Sequence, residues 1–472
     1  MRISVIGTGY LGATHAACLA ELGFEVLGVD SDVAKVTMLA QGELPFSEPG
    51  LPELLRRHVA SGRLRFGNSL AEAAAWADLH FVCVGTPQSA HGPQADLGAV
   101  LGVTRELSAH LTRDALVVGK STVPVGTSAR LGRVAQDAAT PGVRVRVAWN
   151  PEFLREGHAV ADTLRPDRLV FGVEDEVAEQ ILRRVYAGPI GDGVPVHVTD
   201  PATAELAKAA ANSFLAMKIS FVNAMAELSE QAGADVVALA EVLGDDARIG
   251  RRFLDAGVGF GGGCLPKDIR ALGARAAELG VDDVTTLLDQ VDRVNLRARH
   301  RVTERAVAMS GGSVRGRRVT VLGSAFKPMS DDVRDSPALA VAADLHRRGA
   351  LVRVHDPEAT ANATLACPEL QHVGSVGEAL TDSELVLHLP EWPQFREIDP
   401  LRARALVRVP RLLDARNKLD RERWQAAGWT VTGVGRGRPR ETHLAAPQPA
   451  ATVFALPTPR PRRTLRTLLT RA

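Results

Sequence analysis

The sequence predicts an α/β fold of two doubly wound lobes joined by a long central helix, and three stretches predict it. A strand, a glycine-rich turn, a helix and a second strand follow one another at the start of the chain. After Gly311-Gly312-Ser313 the same strand–turn–helix order returns. Between the two runs lies a helical pattern from Pro201 to about Gln231. Strands that alternate with helices belong to parallel sheets covered on both faces.

The totals agree with this class. A chain of 472 residues exceeds one core and suits about three domains. A net charge of +1 argues against bulk capture by nucleic acid or an acidic membrane. Cys18, Cys83, Cys264 and Cys367 lie far apart without a CxxC pair, so neither a metal site nor a disulfide framework is expected, and a reducing cytoplasm fits. No signal segment precedes the first strand, and no apolar run reaches the ~18 residues of a membrane span.

Ile3–Ile6 reads as the first strand, followed by Gly7-Thr8-Gly9-Tyr10-Leu11-Gly12 and a helical pattern through Leu22. Glu25–Val29 reads as the second strand and ends on Asp30. Here a GxGxxG has the setting it needs: glycines for a tight turn, pyrophosphate approach and helix packing, with an acid about 20 residues on. The helix N-terminus offers N–H groups to phosphates. The lobe is therefore Rossmann-like, with Gly7, Gly9, Tyr10, Leu11 and Gly12 as cofactor-binding candidates. Asp30 accepts ribose hydroxyls and repels a 2′-phosphate, so NAD is expected. Lys35 either reaches the same ribose or is an ordinary solvated lysine.

Leu79–Val84 and Ala115–Gly119 read as further strands, ending in Gly85-Thr86-Pro87 and Lys120-Ser121-Thr122-Val123-Pro124. Ligands of open α/β sheets lie at such strand ends, so Thr86 and Thr122 either face the cofactor or cap the next helices. Val145–Trp149 runs into Asn150–Gly157. Glu152 and Glu156 there are four apart, the spacing of one helical face, and by spacing alone they form a surface salt-bridge set.

The central helix, stopped by Gly233, carries Lys208 and Asn212 on one face. They are either a solvated pair or an ammonium and an amide that hold an oxyanion together. A helix this long with apolar positions on several faces suggests a joint between lobes and a dimer seam.

Gly257-Val258-Gly259-Phe260-Gly261-Gly262-Gly263-Cys264 holds five glycines in seven residues and continues into Leu265-Pro266-Lys267-Asp268. Such a run breaks helix and strand alike and lets backbone pass close to a ligand. The Lys267 charge and local N–H groups are expected to favour the Cys264 thiolate, the attacking form. The other reading is a linker with a buried structural cysteine.

Helical patterns continue from Ile269 to about Met309, and Arg318–Leu322, Leu351–His355, Leu385–Leu389 and Leu406–Leu413 read as strands of the second lobe. Its first turn carries Lys327 and Arg334 around Asp331-Asp332, cations suited to a diphosphate. From about Gly437 the chain turns to Pro, Ala and Arg. That basic tail is expected to be disordered, or to be a docking arm for an unknown acidic partner or membrane surface.

Together these motifs resemble the UDP-glucose/GDP-mannose dehydrogenase family. The matching pieces are GTGYLG, KSTVPVGT (Lys120–Thr127), NPEFLREG (Asn150–Gly157), PDR (Pro166–Arg168), AKAAANSFLAMKISFVNA (Ala207–Ala224), RIGRRFLDAGVGFGGGCLPKD (Arg248–Asp268), AFKPMSDDVRDSP (Ala325–Pro337) and DARN (Asp414–Asn417). PDR and the RIG–FLDAG block look more like the UDP-glucose branch. Ala224 stands where the family has Glu, GSAFKP replaces GLAFKP, and His388–Trp392 lacks the usual Thr before Glu-Trp.

The resemblance implies NAD-dependent, four-electron oxidation of UDP-glucose to UDP-glucuronate by a homodimer, through a thiohemiacetal and a thioester on Cys264. Another nucleotide sugar, GDP-mannose or a UDP-N-acetylhexosamine, is the alternative within the family, and a silent nucleotide-sugar scaffold the alternative outside it. By motif position Lys208 and Asn212 hold the oxyanion, Asp268 is a water-assisted proton acceptor and Glu152 guides the hydrolytic water, with Thr122 beside them. Phe253, Leu254, Asp255, Ala256, Gly257 and Gly261 grip the sugar nucleotide through backbone. Arg248, Lys327 and Arg416 contact substrate with Glu152, Phe153, Leu154, Arg155 and Glu156. Lys267, Arg334 and Glu156 lie on the cofactor side. The implied division is 1–200 for NAD, 201–310 for the central helical and dimerisation part, 311–436 for the UDP-sugar and 437–472 for the tail.

Overall fold

A computed structural model describes residues 1–437, and the tail with its arginines lies outside the described residues. The first lobe is an eight-stranded sheet: β1 (Arg2–Ile6), β2 (Glu25–Val29), β3 (Leu64–Gly67), β4 (Leu79–Val82), β5 (Ala115–Gly119), β6 (Val145–Trp149), β7 (Leu169–Gly172) and β8 (Val196–Thr199). The second has six: β9 (Arg318–Leu322), β10 (Leu351–His355), β11 (Gln371–His372), β12 (Leu385–His388), β13 (Arg411–Asp414) and β14 (Thr430–Gly433).

Their orders are β3-β2-β1-β4-β5-β6-β7-β8 and β11-β10-β9-β12-β13-β14. Both contain the 3-2-1-4-5-6 order of a dinucleotide fold, whose crevice opens at the carboxyl ends where the order reverses. The sole antiparallel pairing in either sheet is β6 with β7, through Trp149 and Gly172. The central strands are buried on both faces: all four residues of β4 and all five of β5 are buried. That is why they read as apolar runs without alternation.

The long helix spans Pro201–Ala232. Asp200 caps it by accepting from the Thr203 N–H, Pro201 fills its first turn, and Gly233 closes it at φ 72°. It packs on two further helices, Leu265–Glu278 and Asp282–Met309.

Some boundaries differ from the sequence reading. Leu406 ends a short helix, Pro400–Leu406, capped by Asp399, so the strand begins only at Arg411, after Pro410. The strands read to Val84 and Leu389 stop at Val82 and His388, although Cys83 and Leu389 still donate backbone hydrogen bonds to Ile6 and Leu322 of the neighbouring strands. The run from Ile269 to Met309 is two helices parted at Gly280, φ 73°. Glu152 and Glu156 share no helical face, because Asn150–His158 is irregular and ends before the helix Ala159–Leu164.

Candidate active site

At the end of β1, Gly7 takes φ 88°, and a Cβ there would lie 2.7 Å from the Val84 backbone. A Cβ on Gly12 would strike the Gly7 carbonyl, whereas one on Gly9 would meet nothing within 4 Å. Gly9 thus leaves open the space that a pyrophosphate requires above the first helix, Tyr10–Glu21. Asp30 accepts from the Thr8 N–H at 2.8 Å and the Lys35 ammonium at 3.1 Å. Burial raises its pKa, but the Asp32 and Thr8 N–H groups and Lys35 outweigh this and hold it below the usual carboxylate value. This cradle fits NAD, since the carboxylate stands where a ribose would meet it. Thr86 donates to the Thr122 carbonyl at 2.7 Å, and neither threonine caps a helix.

The thiol loop is fixed from three sides. Asn223 of the long helix accepts from the Gly257 N–H at 2.8 Å. Asn295 accepts from the Phe260 N–H at 2.8 Å, while Arg299 donates to the Phe260 carbonyl at 2.7 Å. The Gly262 N–H donates to the Arg334 carbonyl of the second lobe at 2.9 Å. Asn223, Asn295 and Arg299 escaped the sequence reading, because each acts on a loop at least 34 positions away.

Around Cys264 the structure gathers most of the expected residues. Lys208 pairs with Glu152 at 2.9 Å, and both are largely buried. Asn212 donates to one Asp268 oxygen at 2.7 Å, and Lys267 meets the other at 2.6 Å. Thr122, Lys267 and Asp268 line one small cavity. The expected surface salt-bridge set of Glu152 and Glu156 is corrected: the two carboxylates turn to different partners. Glu156 accepts from the Ser330 hydroxyl at 3.0 Å and faces Arg334 at 3.6 Å, and its carbonyl accepts from Lys327 at 2.8 Å.

The expected thiolate is also corrected. Cys264 keeps an exposed face. Even so, desolvation in the cleft and then the Glu152 charge push its thiol up to about 12, and Lys208 only partly opposes them. The same cluster acts oppositely on Lys208: burial pulls it down, but Glu152, Cys264 and Asp268 hold it above the usual lysine value. Burial lowers Lys327 and raises Glu156.

The remaining candidates are distributed as follows. Leu254 and Ala256 point into the core, so only the backbone of these two can meet a ligand. Phe253 stands at φ 66°, and Asp255 pairs with Arg251 and Lys418. Gly257 leaves room for Ala415 and Arg416, and Arg416 bridges the Leu389 and Gly259 carbonyls at 2.7 and 3.3 Å. Gly261 lies against Asp335 and Pro337 of the second lobe. The Phe153 ring is covered by Arg168 at 3.7 Å, Leu154 N–H donates to Glu152, and Arg155 pairs outward with Asp162. Arg248 is not brought into this cluster: its side chain is 88% exposed and paired with its own neighbour Asp246.

Comparison with known proteins agrees with this geometry. Residues 1–189 match the NAD-binding domain, 202–297 the central domain and 320–421 the UDP-binding domain of the UDP-glucose/GDP-mannose dehydrogenase family. The chain is 40% identical to a UDP-glucose 6-dehydrogenase of Rhizobium meliloti over 92% of this chain and all of that one. It is 41% identical to that of Pseudomonas aeruginosa, covering 94% of this chain and 99% of the relative. A solved UDP-glucose dehydrogenase from Pyrobaculum islandicum superposes with TM-score 0.84 at 38% identity, covering 91% of this chain and 98% of that one.

Proposed function

The chain belongs to the UDP-glucose/GDP-mannose dehydrogenase family, and from that premise we propose that it oxidises the C6 alcohol of UDP-glucose to UDP-glucuronate through Cys264. The supporting observation is the meeting of Lys208, Glu152, Asn212 and Asp268 beside one exposed thiol, in a chain with a dinucleotide turn. Bound NAD supplies the acceptor for each of the two hydrides that leave the sugar carbon. The first hydride leaves together with the hydroxyl proton, which passes to water; the aldehyde that remains is attacked by the Cys264 sulfur, and the thiol proton passes through water to Asp268. Lys208 and Asn212 hold the resulting oxyanion, and collapse of that tetrahedral carbon expels the second hydride to leave a thioester. Glu152 guides the water that breaks the C–S bond and frees the product.

We assign 1–200, 201–310 and 311–436 to cofactor, central and nucleotide-sugar parts, and place the enzyme in the cytoplasm as a homodimer. Among the described residues no helix is long and apolar enough to cross a membrane. Leu206, Phe214, Phe221 and Leu228 of the long helix are all exposed. At offsets of eight, seven and seven they form one stripe, which suits a second copy of the same helix.

The test is NADH yield from a panel of UDP-glucose, GDP-mannose and UDP-N-acetylhexosamines. Two NADH per UDP-glucose are expected, with no turnover in Cys264→Ser. One NADH, or an active serine variant, would exclude the covalent route.

A further inference from the structure

We propose that Glu48 is a positioning residue that locks the dinucleotide turn to the seam between the two lobes. Glu48 sits on the turn between the second and third helices of the first lobe, Val33–Ala40 and Leu51–Ala60, and is 2% exposed. One of its oxygens accepts from the Tyr10 hydroxyl and from the Gly157 N–H at 2.6 Å. The other accepts from the Ala159 N–H at 2.7 Å. Tyr10 is the first residue of the fingerprint helix, and its ring packs on Phe46 at 4.9 Å. Gly157 follows Glu156, whose carbonyl and carboxylate hold Lys327 and Ser330 of the second lobe. Gly157 has φ 79°, and a Cβ there would lie 2.8 Å from the Met329 carbonyl. A single buried carboxylate therefore joins the start of the cofactor helix to the turn on which the second lobe rests.

The donor pattern demands a carboxylate. Both oxygens face N–H groups, so a glutamine of the same shape must set its NH₂ against one of them. Glu48→Gln therefore releases one end of the Gly157 turn while leaving its volume unchanged. The remaining oxygen stays on the Tyr10 hydroxyl and the Gly157 N–H, the NH₂ is set against the Ala159 N–H, and Lys327 loses the register of its carbonyl partner.

This inference rests on the reading that Lys327 contacts the nucleotide sugar. Calorimetry on the full chain, with Glu48→Gln, Lys327→Met and the double variant, separates the two. A lock predicts that Glu48→Gln weakens UDP-glucose by about tenfold, and that Lys327→Met costs several-fold less in the glutamine background than in the native one. Equal losses in both backgrounds, or affinity within about threefold of native in a folded Glu48→Gln protein, overturn it. If Glu48→Gln does not fold, Tyr10→Phe, which keeps the ring on Phe46, replaces it in the same cycle with an expected loss of about threefold. If the native protein binds no UDP-glucose, the functional reading fails, and NADH affinity decides the lock: a fall of about fivefold in Glu48→Gln supports it and no fall overturns it.

Discussion

At residue 264 desolvation and the Glu152 charge favour the protonated thiol, and this has a measurable sign. A thiol pushed up to about 12 carries less thiolate at neutral pH than a free cysteine. Alkylation of Cys264 is therefore expected to quicken about tenfold per pH unit from 7 to 10, without the plateau near 8.5 of an unperturbed thiol. Peptide mapping of iodoacetamide-treated protein reads this out. Glu152→Gln removes the charge that most raises the thiol after burial, so labelling at pH 7 speeds up; Lys208→Met removes the opposing cation and slows it. Unchanged labelling in both variants would mean that burial alone sets the thiol. In turnover, Lys208→Met also deletes the proposed oxyanion donor and is expected to lower kcat about 10²-fold or more, measured from the steady-state rate of NADH formation. The sequence made the lysine and the thiol legible, but the expected thiolate was wrong. Lys267 spends its charge on Asp268, and two carboxylates of one distant segment, Glu152 and Glu156, act on the sulfur together with the nearby Asp268.

Among elements, the glycine loop shows which steric constraints a sequence hides. Five glycines announced a loop, and a loop is present, yet nothing local says which glycine is indispensable. At Gly261 a Cβ would press on the Asp335 backbone carbonyl and lie 2.7 Å from the ring of Pro337, neither of which can swing aside as a flexible side chain does. At Gly263 it would meet the guanidinium of Arg334, the end of a flexible, largely exposed side chain. Gly261→Ala is therefore expected to cost about 1–3 kcal/mol of stability, and Gly263→Ala much less, with Arg334 swung aside. Urea midpoints of the two variants compare them; equal losses would mean that the loop yields as a unit. The same limit explains Glu152 and Glu156. Their spacing of four is a helical signal, but Glu152 is taken by Lys208 and Glu156 by Ser330, partners at least 56 positions away. The helix boundaries at Pro201 and Gly233 were legible, because a proline in the first turn and a glycine stop are local chemistry.

For the molecule as a whole, both lobes repeat one strand order, and that much followed from the alternation of strand and helix. The long helix was read as a dimer seam from its length and apolar positions, and among the described residues its outer stripe stays exposed. Ala204, Lys208, Asn212, Ala216, Ser220 and Ala226 face inward, whereas Phe214 is 57% and Phe221 49% exposed. Large side chains on the solvent face of a helix whose inner face is small and polar invert the usual pattern. A second copy laid antiparallel across a twofold axis near Phe221 would bury the stripe of each helix against the other. Full burial of a phenylalanine is worth roughly 1.5–3 kcal/mol. A Phe214→Asp/Phe221→Asp chain would place four such sites and four charges at the seam of a dimer. The expected outcome is a monomer by sedimentation equilibrium where the native chain is a dimer, with far-ultraviolet circular dichroism unchanged. A native monomer at micromolar concentration, or a variant that still dimerises, would send the second copy elsewhere and leave the stripe without an occupant.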